Sequence, residues 1–382
     1  MHKIPVRAIA IACQAIVGSN LISSPVVLAD HPTLGLQQDG AGAITTLTAL
    51  TLPKGASVIG FESQTLSNNE IGDIELAYFA EQDENVHSVA SVNNFSLNAA
   101  IGLTDKLTVG ANLPYVIRSG IREGAHHHDE EPEHSDHNPH DDEPEHSDHD
   151  PHDDEPIDAD HAAEEALGVS YLGDSRGVGD LTLYGQYRFV GSRDSRLHAS
   201  ALFGIKTPTG RTDVTGNEGN RFEAEHQPGS GSWDLLTGAS LTSQWSKVSL
   251  DSNVLYSFAG DGSQQSNLGD VFNYNVALSY RLEHEEDHSA AHHSHASVQN
   301  SWDLAIEING EWRDFVTVAG IRQTHTGGNL VYVAPSVRFN SSRGWAAYAS
   351  LGVPVLEDLN GIQSDPKFRL FIGINSVFGN AD

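Results

Sequence analysis

Apolar and polar residues alternate in segment after segment of this chain, and that pattern leaves few folds open. Leu107, Val109, Ala111, Leu113 and Tyr115 share one side of a period-two stretch, with Thr108, Gly110 and Asn112 on the other. The same alternation runs from Asp180 to Phe189, from Phe272 to Arg281 and from Trp302 to Asn309. Period two over such lengths specifies strands with one apolar and one polar face. Two architectures satisfy it: a soluble sandwich, or a barrel with lipid outside and water inside. The polar faces favour the barrel. They carry Arg188, Lys206, Asp234, Asp251, Arg281, Asp303, Glu307, Glu311, Arg338 and Arg369 at or near mid-strand. Tyr115, Trp233, Trp245, Trp302, Trp312 and Trp345 fall near predicted strand ends, as interfacial aromatic girdles do.

Connection lengths alternate as well. Thr104-Asp105, residues 191–194, Ser246-Lys247 and residues 341–344 are short, whereas 67–86, 119–175, 208–231, 259–269, 313–328 and 357–365 are long. Short periplasmic turns opposite long external loops are the outer-membrane pattern. The sequence therefore predicts an all-β fold, an antiparallel transmembrane outer-membrane β-barrel of about 12 strands over residues 56–378. Its last strand alternates Phe368, Leu370, Ile372 and Ile374 and stops near Phe378, similar to the C-terminal signal of such barrels.

The start of the chain reads as a secretory signal over residues 1–29. His2, Lys3 and Arg7 precede an apolar run from Ala8 to Val17 and a second to Leu28, and Val27-Leu28-Ala29 offers a cleavage site. Residues 30–55 would then be a periplasmic segment. The single cysteine, Cys13, lies within the signal, so the mature chain is expected to offer no thiol.

Charge is unevenly placed. The 382 residues carry a net charge of -31, and sixteen of the 52 acidic side chains lie between Asp129 and Asp160. No basic stripe exists to neutralise phosphate, which argues against nucleic acid as a partner. The acidic stretch holds the repeat DEEPEHSDHNPH and DDEPEHSDHDPH, within a long external insert at 119–175. Its histidines are His126, His127, His128, His134, His137, His140, His146, His149, His152 and His161. A second tract, His284, His288, His292, His293 and His295, falls in an insert at 283–300 that the strand count makes periplasmic. Imidazole beside carboxylate at short spacing suits a borderline divalent cation, and His-rich tracts point to metal. Pro132, Pro139, Pro144, Pro151 and Pro156 keep the first insert extended, so loose chelation is expected rather than a fixed cage. Zinc is the first choice, with nickel, cobalt or copper(II) open, and no cofactor is required. His87, His198, His226 and His325 are isolated in sequence and are expected to be surface or lumen residues rather than ligands. The carboxylates Asp303, Glu307 and Glu311 are expected to pair with Arg281 and Arg338 and brace the barrel. No enzyme signature stands out: Gly-rich stretches such as that at Gly229 lack a strand-to-helix context.

Four motifs add a resemblance. Gly177-Val-Gly-Asp-Leu-Thr-Leu-Tyr-Gly-Gln-Tyr-Arg-Phe189, Leu52-Pro-Lys-Gly55, Gly102-Leu-Thr-Asp-Lys106 and Gly204-Ile-Lys-Thr-Pro-Thr-Gly210 resemble the outer-membrane barrel family named for the MetA pathway of phenol degradation. The likeness spans Leu52 to Phe378 outside the two histidine inserts. It implies a transport-type barrel and, by analogy, aromatic solutes, although fold does not fix cargo. The sequence reading is thus a monomeric barrel in the outer-membrane bilayer of a Gram-negative cell. It would transport a small solute, with loops that bind divalent metal. Its alternatives are a channel for aromatic or hydrophobic compounds with no metal cargo, and a non-transporting surface metal buffer.

Overall fold

The structure is a computed structural model that describes residues 41–82, 84, 86–124, 168–192, 194–283 and 300–379. Twelve strands form one antiparallel barrel. They are β1 (Ser57–Asn68), β2 (His87–Thr104), β3 (Leu107–Gly124), β4 in two segments (Val169–Val178 and Thr182–Val190), β5 (Leu197–Lys206) and β6 (Asp234–Trp245). The others are β7 (Val248–Phe258), β8 (Val271–Glu283), β9 (Ser301–Arg313), β10 (Gly328–Asn340), β11 (Trp345–Leu359) and β12 (Pro366–Phe378). Each strand pairs with the next, and β1 pairs with β12 from Ser57 opposite Phe378 to Asn68 opposite Pro366. Closure leaves the barrel no edge strand among the described residues, which is the condition for a sheet to sit in hydrocarbon.

The alternation sorts as expected. Along β9, Trp302, Leu304, Ile306 and Ile308 are each about half exposed on the outer face. Asp303 and Glu307, on the same strand, have no exposed surface at all. Aromatic rings gather at both rims. At the short-turn end Phe339 packs between Trp302 and Trp345, with ring centroids 5.0 and 5.4 Å away. At the other rim Tyr256 lies 4.6 Å from Phe258 and 6.2 Å from Phe272. Trp302 and Trp312 mark the two rims on β9, ten residues apart. That is about 33 Å along a strand, or about 25 Å of membrane depth at the usual tilt.

Glycines let the wall close on aromatic side chains. Gly310 stands opposite Tyr274, and an added Cβ would fall 2.0 Å from that ring. Gly373 stands opposite Tyr348 in the same way, at 2.2 Å. A ring laid over a cross-strand glycine covers backbone that would otherwise be bare.

The long connections crowd one end. Helix α1 (Asp73–Ala80) lies against the tip of β3, held by Arg122, which pairs with Asp73 and Glu70. Short strand pieces at 266–267, 317–318 and 321–322 tie two further loops together. The β2–β3 and β3–β4 hairpins reach beyond the expected loop boundary: His87 pairs with Glu123 and Gly124 with Val169. The insert expected at 119–175 therefore departs after Gly124 and returns at Gly168, because the strands keep pairing past the apolar band. Its attachment is at the long-loop end. The 283–300 insert is anchored by Glu283 and Ser301 at the opposite, short-turn end.

Strand β4 breaks between Val178 and Thr182, and two of the four family-like motifs, Gly177–Phe189 and Gly204–Gly210, meet there. The Asp180 carboxylate accepts hydrogen bonds from the Gly210 amide (2.8 Å) and from the Ser230 amide and hydroxyl (2.8 and 2.6 Å). Lys206 sits 3.9 Å from Asp180 and pairs with Asp234. Gly210 and Gly229 approach so closely that a Cβ on either would lie under 3 Å from the other's backbone. These motif residues build a junction between β4 and the 207–233 loop.

Two outcomes are expected. Ile306→Arg should destabilise the inserted barrel by about 2–4 kcal/mol, as a cation on the lipid face near mid-depth does, measured by urea titration of folding into vesicles. Asp180→Ala strands several buried donors and should cost about 3–5 kcal/mol in the same titration.

Candidate functional site

The lumen is not empty. Residues 41–56 run inside the barrel, and 41–55 are the described part of the segment expected in the periplasm at 30–55. Ala41, Ala43, Ile44, Ala49 and Leu52 are buried there. The chain bends at Ile44–Thr46, so that three successive amides face one carboxylate. Glu307 accepts from the Ile44 amide (3.1 Å), the Thr45 amide (3.0 Å) and the Thr46 amide (2.8 Å), and from the Thr45 hydroxyl (2.9 Å). A concave run of backbone N–H groups is an anion site, here filled by a side chain of the wall.

Contacts continue strand by strand across the lumen. Arg338 on β10 donates to the Ala43 carbonyl at 2.7 Å. The Leu47 amide donates to Asn253 on β7 (2.9 Å), and the Ala49 amide to Thr242 on β6 (2.8 Å). Ser200 on β5 donates to the Ala49 carbonyl and Gln186 on β4 to the Thr48 carbonyl, both at 2.6 Å. The Leu52 amide ends the series at Thr108 on β3, at 2.8 Å. The segment thus crosses from one wall to the other, its backbone polar groups satisfied by lumen side chains as buried backbone requires.

The expected bracing pairs are divided. Arg281 and Asp303 form a two-point ion pair at 2.9 and 3.2 Å. Glu307 and Arg338 instead hold the lumen segment, and Glu311 pairs with Arg313 of its own strand at 3.2 Å. Backbone dipoles can stabilise the two charges because the segment brings both amides and carbonyls within reach.

A second constellation sits at the long-loop mouth. His87 at the start of β2 meets Glu223, Glu225 and His226 from the 207–233 loop, with one donor atom from each within 4.8 Å of all the others. The two imidazole rings lie 4.8 Å apart, edge to face. His87 Nε2 is 2.9 Å from Glu123 and 3.8 Å from Glu223, and its Nδ1 is 3.8 Å from Glu225. Burial and the neighbouring Glu223 push the Glu225 carboxyl up to about 7. Burial, with His87 and Arg118 nearby, holds His226 well below the usual imidazole range, so it is neutral.

The loop is rigidly built. A single 3₁₀ turn, Ala224–His226, presents the side chains, and buried Gln227 fastens it. Gln227 accepts from the Val214 amide (2.9 Å) and donates to the carbonyls of Val214 (3.0 Å) and Phe222 (2.7 Å). Arg118 in turn donates to the Gln227 carbonyl at 2.9 Å. A cavity of about 520 Å³ opens beside the cluster, walled by Glu84, Glu223, Arg322 and His325 among others.

The expectation that His87 and His226 are surface residues is corrected: both are buried, because the 207–233 loop folds down over the β2–β3 tip. His325 pairs with Glu84, and His198 is buried on the lumen side, 3.4 Å from Arg188. The fifteen tract histidines, from His126 to His161 and from His284 to His295, lie outside the described residues, as does the signal expected at 1–29. Sequence reasoning missed the role of Glu223, Glu225 and Glu123. The local cue was Glu223-Ala-Glu-His226, but its partner His87 is distant in sequence.

Among solved structures, the chain is similar to an outer membrane channel from Pseudomonas putida F1, at 16% identity and TM-score 0.50. The match covers 86% of this chain and 98% of that one. Looser likenesses include the CymD monoaromatic hydrocarbon channel (11% identity, TM-score 0.38, 87% and 90% covered). The Ralstonia pickettii toluene transporter TbuX matches at 8% identity and TM-score 0.36, covering 86% and 90%. The likeness to the Pseudomonas putida channel concerns the fold, an outer-membrane β-barrel. No curated protein sequence matches the chain. A family model does match residues 157–353, more than half of the chain, and the protein belongs to that family, described as "Putative MetA-pathway of phenol degradation".

Proposed function

We propose that this protein is an outer-membrane channel for small aromatic solutes, gated by its own lumen segment, residues 41–56. The observation that carries the reading is how the segment is held. Its grip on the wall is a row of hydrogen bonds centred on Glu307, with three small apolar contacts beside it: Ile44 with Ala305 and Tyr348, Leu47 with Leu202, Leu236 and Leu255, and Leu52 and Ala56 with Val58 and Ala100. The hydrogen bonds can exchange with water one at a time, and each apolar contact is small, which suits an element that moves.

Two features favour a small aromatic cargo bearing a polar group. The lumen wall presents amides and hydroxyls, among them Gln64, Asn98, Asn112 and Thr242, which can hydrogen-bond a phenolic hydroxyl. Family membership adds the association with phenol degradation. In this account the long-loop end faces outward, as in other outer-membrane barrels.

Purified protein in vesicles tests this directly. Glu307→Ala removes charge-assisted hydrogen bonds worth about 1.5–3 kcal/mol each, and phenol flux should rise by about tenfold or more. Heat-modifiable mobility on gels verifies that the variant is still a closed barrel. Phenol flux equal in variant and wild type would overturn the gate. Zinc flux in place of phenol flux would instead favour a cation pathway fed by the histidine tracts.

A further inference from the structure

We infer that His87, Glu223, Glu225 and His226 form a binding site for a single divalent transition-metal ion, zinc by preference, at the long-loop mouth of the barrel. The site is separate from the histidine tracts and uses none of their residues. It also goes beyond the channel reading and does not depend on which solute passes.

The donor set is the first reason. Two imidazoles and two carboxylates make an N₂O₂ shell, which suits zinc and its neighbours in the transition series better than calcium or magnesium, which take oxygen alone. No sulfur is present to draw softer ions.

Spacing is the second. Metal–ligand bonds of about 2.0–2.2 Å put tetrahedral ligands roughly 3.4 Å apart. His226 Nε2 lies 3.6 Å from Glu225 Oε1, and His87 Nδ1 lies 3.8 Å from the same carboxylate. One donor atom from each of the four residues lies within 4.8 Å of the other three. Glu223 lies 3.8 Å from His87 Nε2, so its carboxylate must turn toward Nδ1 to complete the shell.

His226 supplies the third. Its Nε2 is buried without a hydrogen-bond partner, and 3.6 Å to Glu225 is too long to be one. A buried imidazole nitrogen left unsatisfied costs free energy, and an ion between His226 and Glu225 would satisfy both. The outer shell is also in place. Glu123 meets His87 Nε2 at 2.9 Å, an arrangement that leaves Nδ1 as the coordinating nitrogen and orients the ring. Gln227 and Arg118 fix the loop that carries the other three ligands. Entry is through the adjoining cavity, onto which the half-exposed Glu223 opens. Binding would tie the 207–233 loop to the tips of β2 and β3.

The test uses full-length protein in detergent, in a background with the fifteen tract histidines replaced by asparagine so that loose chelation does not mask the site. Titration with zinc chloride should show one ion per chain, and cobalt(II) should give the visible absorption of a low-coordinate nitrogen–oxygen site. Glu225→Gln, close to isosteric, and His226→Ala should each weaken zinc binding by on the order of 100-fold, and Glu123→Gln by about tenfold. Heat-modifiable mobility shows which variants remain folded, and Glu225→Gln suffices should His226→Ala fail. Absence of a stoichiometric zinc site in the background protein, or an affinity unchanged in folded Glu225→Gln, would overturn the proposal.

Discussion

Hydrocarbon offers no hydrogen bonds, and that constraint orders everything else in this molecule. A sheet placed in it must pair every strand on both sides, so β1 and β12 meet along their length, from Ser57 and Phe378 to Asn68 and Pro366. Closure turns one face of every strand inward. Those inward faces are polar, because the outward ones must be apolar. A polar interior in a narrow barrel then needs partners of its own. The N-terminal segment supplies them: its amides meet Glu307, Asn253, Thr242 and Thr108, and its carbonyls meet Arg338, Gln186 and Ser200. Lumen lining and lumen filling are therefore two sides of one requirement.

The two ends of the barrel do different work. Tight turns and a layer of aromatic rings close one rim, whereas the other carries the helix, the small accessory strands and the 207–233 loop. The family-like motifs belong to this architecture. Gly177–Phe189 and Gly204–Gly210 converge on Asp180 and the contact between Gly210 and Gly229, where β4 breaks and the long loop is fastened. Residues that make a junction explain why such motifs identify the barrel and leave the cargo open. Cargo choice falls to the lumen and to the loops that crown it.

The fold was legible because a strand has a period of two and each register error would turn an apolar face inward. Trp302 to Asn309 shows it plainly, with half-exposed Ile306 beside fully buried Glu307. The lumen segment was not legible, since it acts through backbone amides and carbonyls that every residue carries. Glu307 was recognised as a lumen charge, but arginine was the expected partner and backbone the actual one. The mouth cluster was hidden for another reason. Glu223, Glu225 and His226 are local, yet their meaning depends on His87 and Glu123, which only the β2–β3 hairpin and the folded loop bring close. The conspicuous histidine repeats, in contrast, lie outside the described residues, so the expectation that they bind metal rests on composition.

The central claim is that the lumen segment is the gate, and a removable tether tests it most directly. Thr48 and Thr242 face one another with hydroxyls 3.0 Å apart. In a Cys13→Ser background, the pair Thr48→Cys and Thr242→Cys can fasten the segment to β6 by a disulfide. Phenol flux into vesicles is then measured before and after reduction. The account predicts flux near background when oxidised and restored flux on reduction, whereas equal flux in the two states would contradict it.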